Sequence, residues 1–237
     1  MSLALDKLLA KRGGTGACMP IAFRIALKLD QVTWDEACAD VGLTVFALRN
    51  AQKMFKADGL VNWFDTWLEA EACGAAIERG PLGEVVHGEP PVALPDVTVF
   101  ASAPPIARVA EIARRLAGET GENATVIGYL TGPATLRARL GAKDAQRAAE
   151  YSLALVKLYG EAGVGALLFA EEAPPARPFD AVANLAGYYN LPMLLVAQSG
   201  VAPEQAKALG YRVEPKLRLG AWEIAPDTAP DSLIGAA

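Results

Sequence analysis

At 237 residues, 52 % of them apolar and 21 % charged, the chain has the length and composition of one larger α/β domain with a sizeable core. A net charge of −5 argues against a phosphate-backbone partner, which needs a basic stripe, and no apolar run reaches the roughly 18–20 residues that span a bilayer. No nucleic-acid and no membrane partner is therefore expected. The opening residues lack a charged head followed by an apolar signal core, which predicts a cytoplasmic protein.

Residues 3–11 read as a helix that Gly13-Gly14 breaks. An apolar run over 20–29 carries Arg24 and Lys28, four apart and so on one face if helical. Thr33 followed by Glu36 is a capping box that starts the next helix, and residues 43–57 form a longer amphipathic one. This first quarter, residues 1–58, reads as a helical layer without strands. From Gly59 short apolar runs alternate with helices. A strand over 60–64 ends on Asp65 and turns at once into a helix. The stretch 80–95, rich in Gly and Pro and holding His87, the only histidine, reads as a loop, either a lid or pocket rim or an inert connector. Residues 97–101 are a short strand or the lead-in to a helix over 105–117. The strand 125–130 enters the Gly132-Pro133 turn, and a helix over 143–162, a strand over 166–170, a helix over 179–188 and a strand over 193–197 follow. A helix near 203–209 and short strands at 211–214 and 221–224 complete the chain.

Strands bracketed by helices imply parallel pairing with right-handed crossovers. The expected fold is one α/β domain over 1–237, a (β/α)8 TIM-barrel-like arrangement shortened at its C-terminal end, behind the N-terminal helical layer. No GxGxxG or GxxxxGK[ST] fingerprint is present, which disfavours nucleotide binding by those routes. Cys18, Cys38 and Cys73 are far apart, no CxxC occurs, and free thiols without a zinc site are expected.

Thr33-Trp34-Asp35-Glu36-Ala37, the strand to Asp65, Glu69-Ala70-Glu71-Ala72-Cys73-Gly74 and Ile127 through Gly132-Pro133-Ala134-Thr135-Leu136 follow one another in a familiar order and spacing. The chain thereby resembles the uroporphyrinogen decarboxylase superfamily, which also contains corrinoid and coenzyme M methyltransferases. The resemblance implies an anionic, tetrapyrrole-like small-molecule substrate, no cofactor, and a homodimer as the candidate assembly. Arg24 and Lys28 stand where the decarboxylases keep two arginines for substrate carboxylates, and Asp65 falls on the aspartate facing the pyrrole N–H groups. Three family features are missing. The decarboxylases place a tyrosine further along the helix after Gly132-Pro133, where this chain has Leu136-Arg137-Ala138-Arg139. No late histidine exists, and residues 196–200 lack the His-x-Cys phrase by which the methyltransferases hold zinc.

The chemistry this implies is cofactor-independent decarboxylation by a carbon–carbon lyase. Asp65 would stabilise the cation formed when a pyrrole ring is protonated, Arg24 and Lys28 would pair with substrate carboxylates, and Tyr129 and Thr131 would orient the substrate. Each residue also has a structural reading. Asp65 is a strong helix cap, Arg24 and Lys28 suit a solvated helix face, Tyr129 suits the core, and Glu171 and Glu172, at a catalytic-end position after the strand 166–170, equally suit a surface loop. Methyl transfer and a non-catalytic, ligand- or partner-binding relative are the alternatives.

Overall fold

The computed structural model describes residues 2–13, 16–141, 144–214 and 217–218. In chain order the elements are α1 (Leu5–Arg12), β1 (Ala17–Cys18), α2 (Phe23–Leu29), α3 (Trp34–Ala39), α4 (Val41–Phe55), β2 (Gly59–Val61), α5 (Leu68–Ala72), β3 (Ala76–Arg79) and β4 (Val85–Glu89). They continue with α6 (Val97–Ser102), α7 (Pro104–Thr120), β5 (Thr125–Thr131), α8 (Pro133–Arg139), α9 (Ala145–Ala162), β6 (Ala166–Glu171), α10 (Asp180–Tyr188), β7 (Met193–Ala197), α11 (Pro203–Ala208) and β8 (Leu217–Arg218).

A four-stranded parallel sheet in the order β2-β5-β6-β7 forms the centre. Every residue of β5 and β6 is buried, on both faces of the sheet, and this is why these strands read as continuous apolar runs rather than alternating ones. Gly128 of β5 is required by a close approach: a Cβ there would stand 2.6 Å from the Tyr159 ring of α9. The helix starts follow local chemistry. Thr33 and Glu36 complete both bonds of the capping box, and Asp40, Asp96 and Asp144 each accept a backbone N–H in the first turn that follows them.

Several expectations need correction. The first quarter does contain a strand, the two-residue β1, which pairs in parallel with β8. Residues 97–101 are helical. Residues 80–95 are not simply a loop, because β4 lies within them and pairs antiparallel with β3. Alternation decides this: along β3, residues 77 and 79 are half-buried and residues 76 and 78 exposed, and Gly83 at φ +81° closes the turn. Residues 211–214 are not a strand, although the Arg212 N–H donates to Met193 O at 2.8 Å. Trp63 and Trp67 belong to the buried core. Trp222, the strand expected at 221–224 and Lys143, the expected start of α9, lie outside the described residues. Among those residues the strands fall into three separate sheets, so the architecture is α/β with a central parallel sheet. No helix among them is long and apolar enough to cross a membrane.

Candidate active site

The carboxyl ends of β2 and β6 carry carboxylates, and together with the ends of β7 and α8 they open into one cavity of about 420 Å³. Chain polarity places it there, since the backbone leaves each parallel strand at the same edge and side chains from distant segments converge beyond it. Beyond β2 stand Asp65, Thr66 and Trp67, beyond β6 Glu172, and beyond β7 Gln198. Arg24 reaches in from α2, Arg139 from the end of α8, and β4 covers the opening with His87 and its neighbours.

Asp65 is almost fully enclosed, its side chain 1 % exposed, and both oxygens are engaged. Oδ1 accepts the Trp67 N–H at 3.0 Å, and Oδ2 accepts from Arg79 Nη2 at 2.7 Å. Asp65 therefore both lines the cavity and braces the turn into α5. Arg79 also donates to Glu71 Oε2 at 2.5 Å and to Gly83 O at 2.9 Å, with its guanidinium carbon 4.5 Å from the Trp34 ring centre. Burial opposes the charge on Arg79, but the two carboxylates outweigh it and raise its pKa.

On the other wall Arg139 pairs with Glu172 and lies over the Trp67 ring, 4.2 Å from its centre. Glu172 also accepts from the Thr66 hydroxyl, tying the end of β6 to the end of β2. The Nε of Arg139 is buried without a partner among the described residues. The cavity thus offers two guanidinium groups, Arg24 and Arg139, together with carboxylates and an imidazole.

Of the expected site residues, Asp65 and Arg24 share this cavity. Lys28 is exposed and does not line it, being one helical turn further along α2 than Arg24. Tyr129 and Thr131 are buried beneath the cavity and do not line it either. Tyr129 packs on Phe64 with ring centres 5.3 Å apart, and burial drives its pKa well above the usual phenol value. Thr131 donates its N–H at 2.9 Å and its hydroxyl at 2.5 Å to Glu69, a fully enclosed carboxyl. Burial lifts the pKa of Glu69 to about 7 although both Thr131 bonds oppose the shift. Glu171 is not a loop charge; it accepts the N–H groups of Ala134 and Thr135 at 3.0 and 2.8 Å at the start of α8.

Sequence reasoning missed Arg79, which only the β3–β4 alternation could have flagged. It leaves Glu172 between a catalytic-end position and a surface loop, reaches His87 only through the rim reading of residues 80–95, and gives Arg139 no role at the site. The signal for Glu172 was its position directly after an apolar strand; for Arg139 it was a place two turns beyond Gly132-Pro133. Burial pushes the thiol pKa of Cys38 to about 11 and that of Cys73 to about 12, which keeps both protonated near neutral pH.

A family model described as uroporphyrinogen decarboxylase (URO-D) matches residues 21–162. Among solved structures, a methyltransferase from Methanosarcina mazei superposes with a TM-score of 0.74 at 14 % sequence identity, over 98 % of this chain and 96 % of that one. At that identity the likeness speaks for the fold alone. No curated protein matches by sequence.

Proposed function

The chain belongs to the uroporphyrinogen decarboxylase (URO-D) family, and from that premise we propose that it removes CO₂ from an anionic small molecule held in the cavity beyond β2, β6 and β7. The observation that carries this reading is the meeting of Arg24, Arg139 and Asp65 around one space at the carboxyl edge of a parallel sheet. A guanidinium is a planar fork suited to carboxylate, and the cavity lies within the range of about 300–1,000 Å³ usual for small-molecule sites. A volume near 420 Å³ favours a small acid, or one acidic arm of a larger substrate, over an enclosed macrocycle.

In a pyrrole acetate the ring carbon is protonated first, giving a cation. The C–C bond to the carboxylate then breaks, its electrons neutralise that cation, and CO₂ leaves. A second proton completes the methyl group while the ring proton departs, so one carboxylate and one proton become one C–H and CO₂. Fixed carboxylates at Asp65 and Glu172 favour the cationic stage, and Arg24 and Arg139 hold the remaining acid groups. Under the same reading the central sheet and the β1–β8 pair are arcs of a (β/α)8-like barrel. They approach each other where the Asp58 N–H donates to Cys18 O at 2.8 Å. The reading also expects a homodimer, to be checked by sedimentation.

Methyl transfer is the second reading, favoured by the methyltransferase with which the chain shares its fold. Among the described residues no group of three or more His, Cys, Asp or Glu side chains is placed to hold a metal ion, so no step through a metal follows from these residues.

Two parallel assays separate the readings. One follows CO₂ release from pyrrole acetates and simple dicarboxylates, and the other follows transfer of a labelled methyl group from methylcobalamin to a thiol. Decarboxylation predicts CO₂ release that falls in Arg24→Ala and Asp65→Asn. Methyl transfer without CO₂ release would overturn it in favour of the second reading. Silence in both assays leaves a binding relative.

A further inference from the structure

A second and larger cavity, of about 830 Å³, lies across Arg79 from the first. Its walls come from the start of α3, the end of α5, β3 and the first turns of α7, and two of them are guanidinium groups, Arg79 and Arg108, each 11 % exposed. Arg79 is fully employed by Asp65, Glu71 and Gly83. Arg108 is not. Its Nη1 donates to Cys38 O at 3.4 Å, and the nearest carboxylate oxygen, Glu71 Oε1, stands 3.8 Å from Nη2. Its Nε and Nη2 are shielded from solvent and have no hydrogen-bond partner among the described residues. The guanidinium carbon lies 5.1 Å from the ring centre of Trp63, whose indole N–H is also buried without a partner. Three buried donors with no acceptor are a costly arrangement unless something supplies one.

We propose that this outer cavity is a binding site for a small oxyanion, a carboxylate or phosphate group, gripped by Arg108. Nε and Nη2 form one edge of the guanidinium, and that edge makes the paired, parallel bonds that carboxylate and phosphate oxygens accept. The larger cavity leaves room for the body of the ligand, with Trp34 and Ile77 as its apolar walls. The site stands apart from the decarboxylation reading, since Arg108 neither lines the inner cavity nor makes its contacts, to Cys38, Glu71 and Trp63, with a residue that does. Through Arg79, bonded to Asp65 on one side and Glu71 on the other, occupancy of the outer cavity bears on the carboxylate of the inner one.

The test uses the full chain labelled with ¹⁵N at arginine. The Nε–H signals are followed during titration with inorganic phosphate, and separately with acetate, at ionic strength held constant with chloride. The Arg108 signal is assigned by its absence in Arg108→Lys, which keeps the charge and removes the fork, and circular dichroism confirms that this variant folds. We expect a saturable shift of the Arg108 signal in the wild type with at least one probe. Apparent affinity, read from Trp fluorescence, should fall at least tenfold in Arg108→Lys and stay unchanged in Arg139→Lys. Phosphate alone acting would identify a phosphate site, and acetate acting would identify a carboxylate site. An Arg108 signal unmoved by either anion, or a fluorescence change abolished in Arg139→Lys instead, overturns the proposal. No catalytic assay enters, so either result leaves the decarboxylation reading to its own test.

Discussion

Replacing Arg79 by Met probes the pairing that joins the two cavities. The substitution keeps much of the side-chain volume and deletes the guanidinium that bonds Asp65, Glu71 and Gly83. Glu71, 27 % exposed, can turn to water, but Asp65, 1 % exposed, cannot. It keeps a single bond, from the Trp67 N–H at 3.0 Å. Breaking a buried pair from one side costs about 3–5 kcal/mol, because the charge left behind is uncompensated. For a domain of this length that corresponds to a fall of roughly 6–20 °C in Tm. The double variant Arg79→Met with Asp65→Asn removes the stranded charge and should recover at least half of the loss, which reads out as a large coupling energy in urea unfolding. A single variant within about 0.5 kcal/mol of the wild type, on the scale of an exposed pair, would refute the reasoning.

Glu69 should impose a pH dependence of its own. With its folded pKa near 7 and the ordinary value at 4.5, the folded state holds the proton more tightly, so stability is greatest below about 4.5 and falls as pH rises through 7. Relative to Glu69→Gln, the wild type should lose on the order of 3 kcal/mol between pH 5 and 8, measured by urea unfolding at both values; parallel pH profiles would contradict this. Gly128→Ala drives a Cβ to within 2.6 Å of the Tyr159 ring and should cost about 1–3 kcal/mol by overpacking, seen as a lower unfolding midpoint without a change in slope. Thr33→Ala removes the exposed capping box of α3 and should cost about 1 kcal/mol in urea unfolding while leaving ligand binding at the inner cavity, which Thr33 does not line, intact.

How far the chain could be read without coordinates depended on the range of the interactions involved. The helices were legible because capping boxes, Asp caps and helical spacing are local, as at Thr33–Glu36 and Asp144. Strands β5 and β6 were legible as apolar runs because burial on both faces removes the polar half of the pattern, and β7 because all five of its residues are apolar. Strands β1 and β8 were not, since a two-residue strand exists only through its distant partner. The β3–β4 hairpin hid behind Gly80-Pro81 and Gly83, which signal a turn as readily as a loop, and with it went Arg79. Asp65 and Arg24, which line one cavity, stand out in the sequence as a carboxylate after a strand and an arginine in an apolar run. Lys28 shared the helical face of Arg24, but one helical turn was enough to put it beyond the cavity. Tyr129 and Thr131 sit on a strand with both faces buried, and there periodicity cannot tell which residues reach the mouth.

A crystal structure with a pyrrole bearing an acetate side chain tests the central claim most directly. The account predicts the carboxylate within hydrogen-bonding reach of Arg24 or Arg139 and the ring beside Asp65, inside the cavity covered by β4. A ligand bound elsewhere, with water alone between those three side chains, would contradict it.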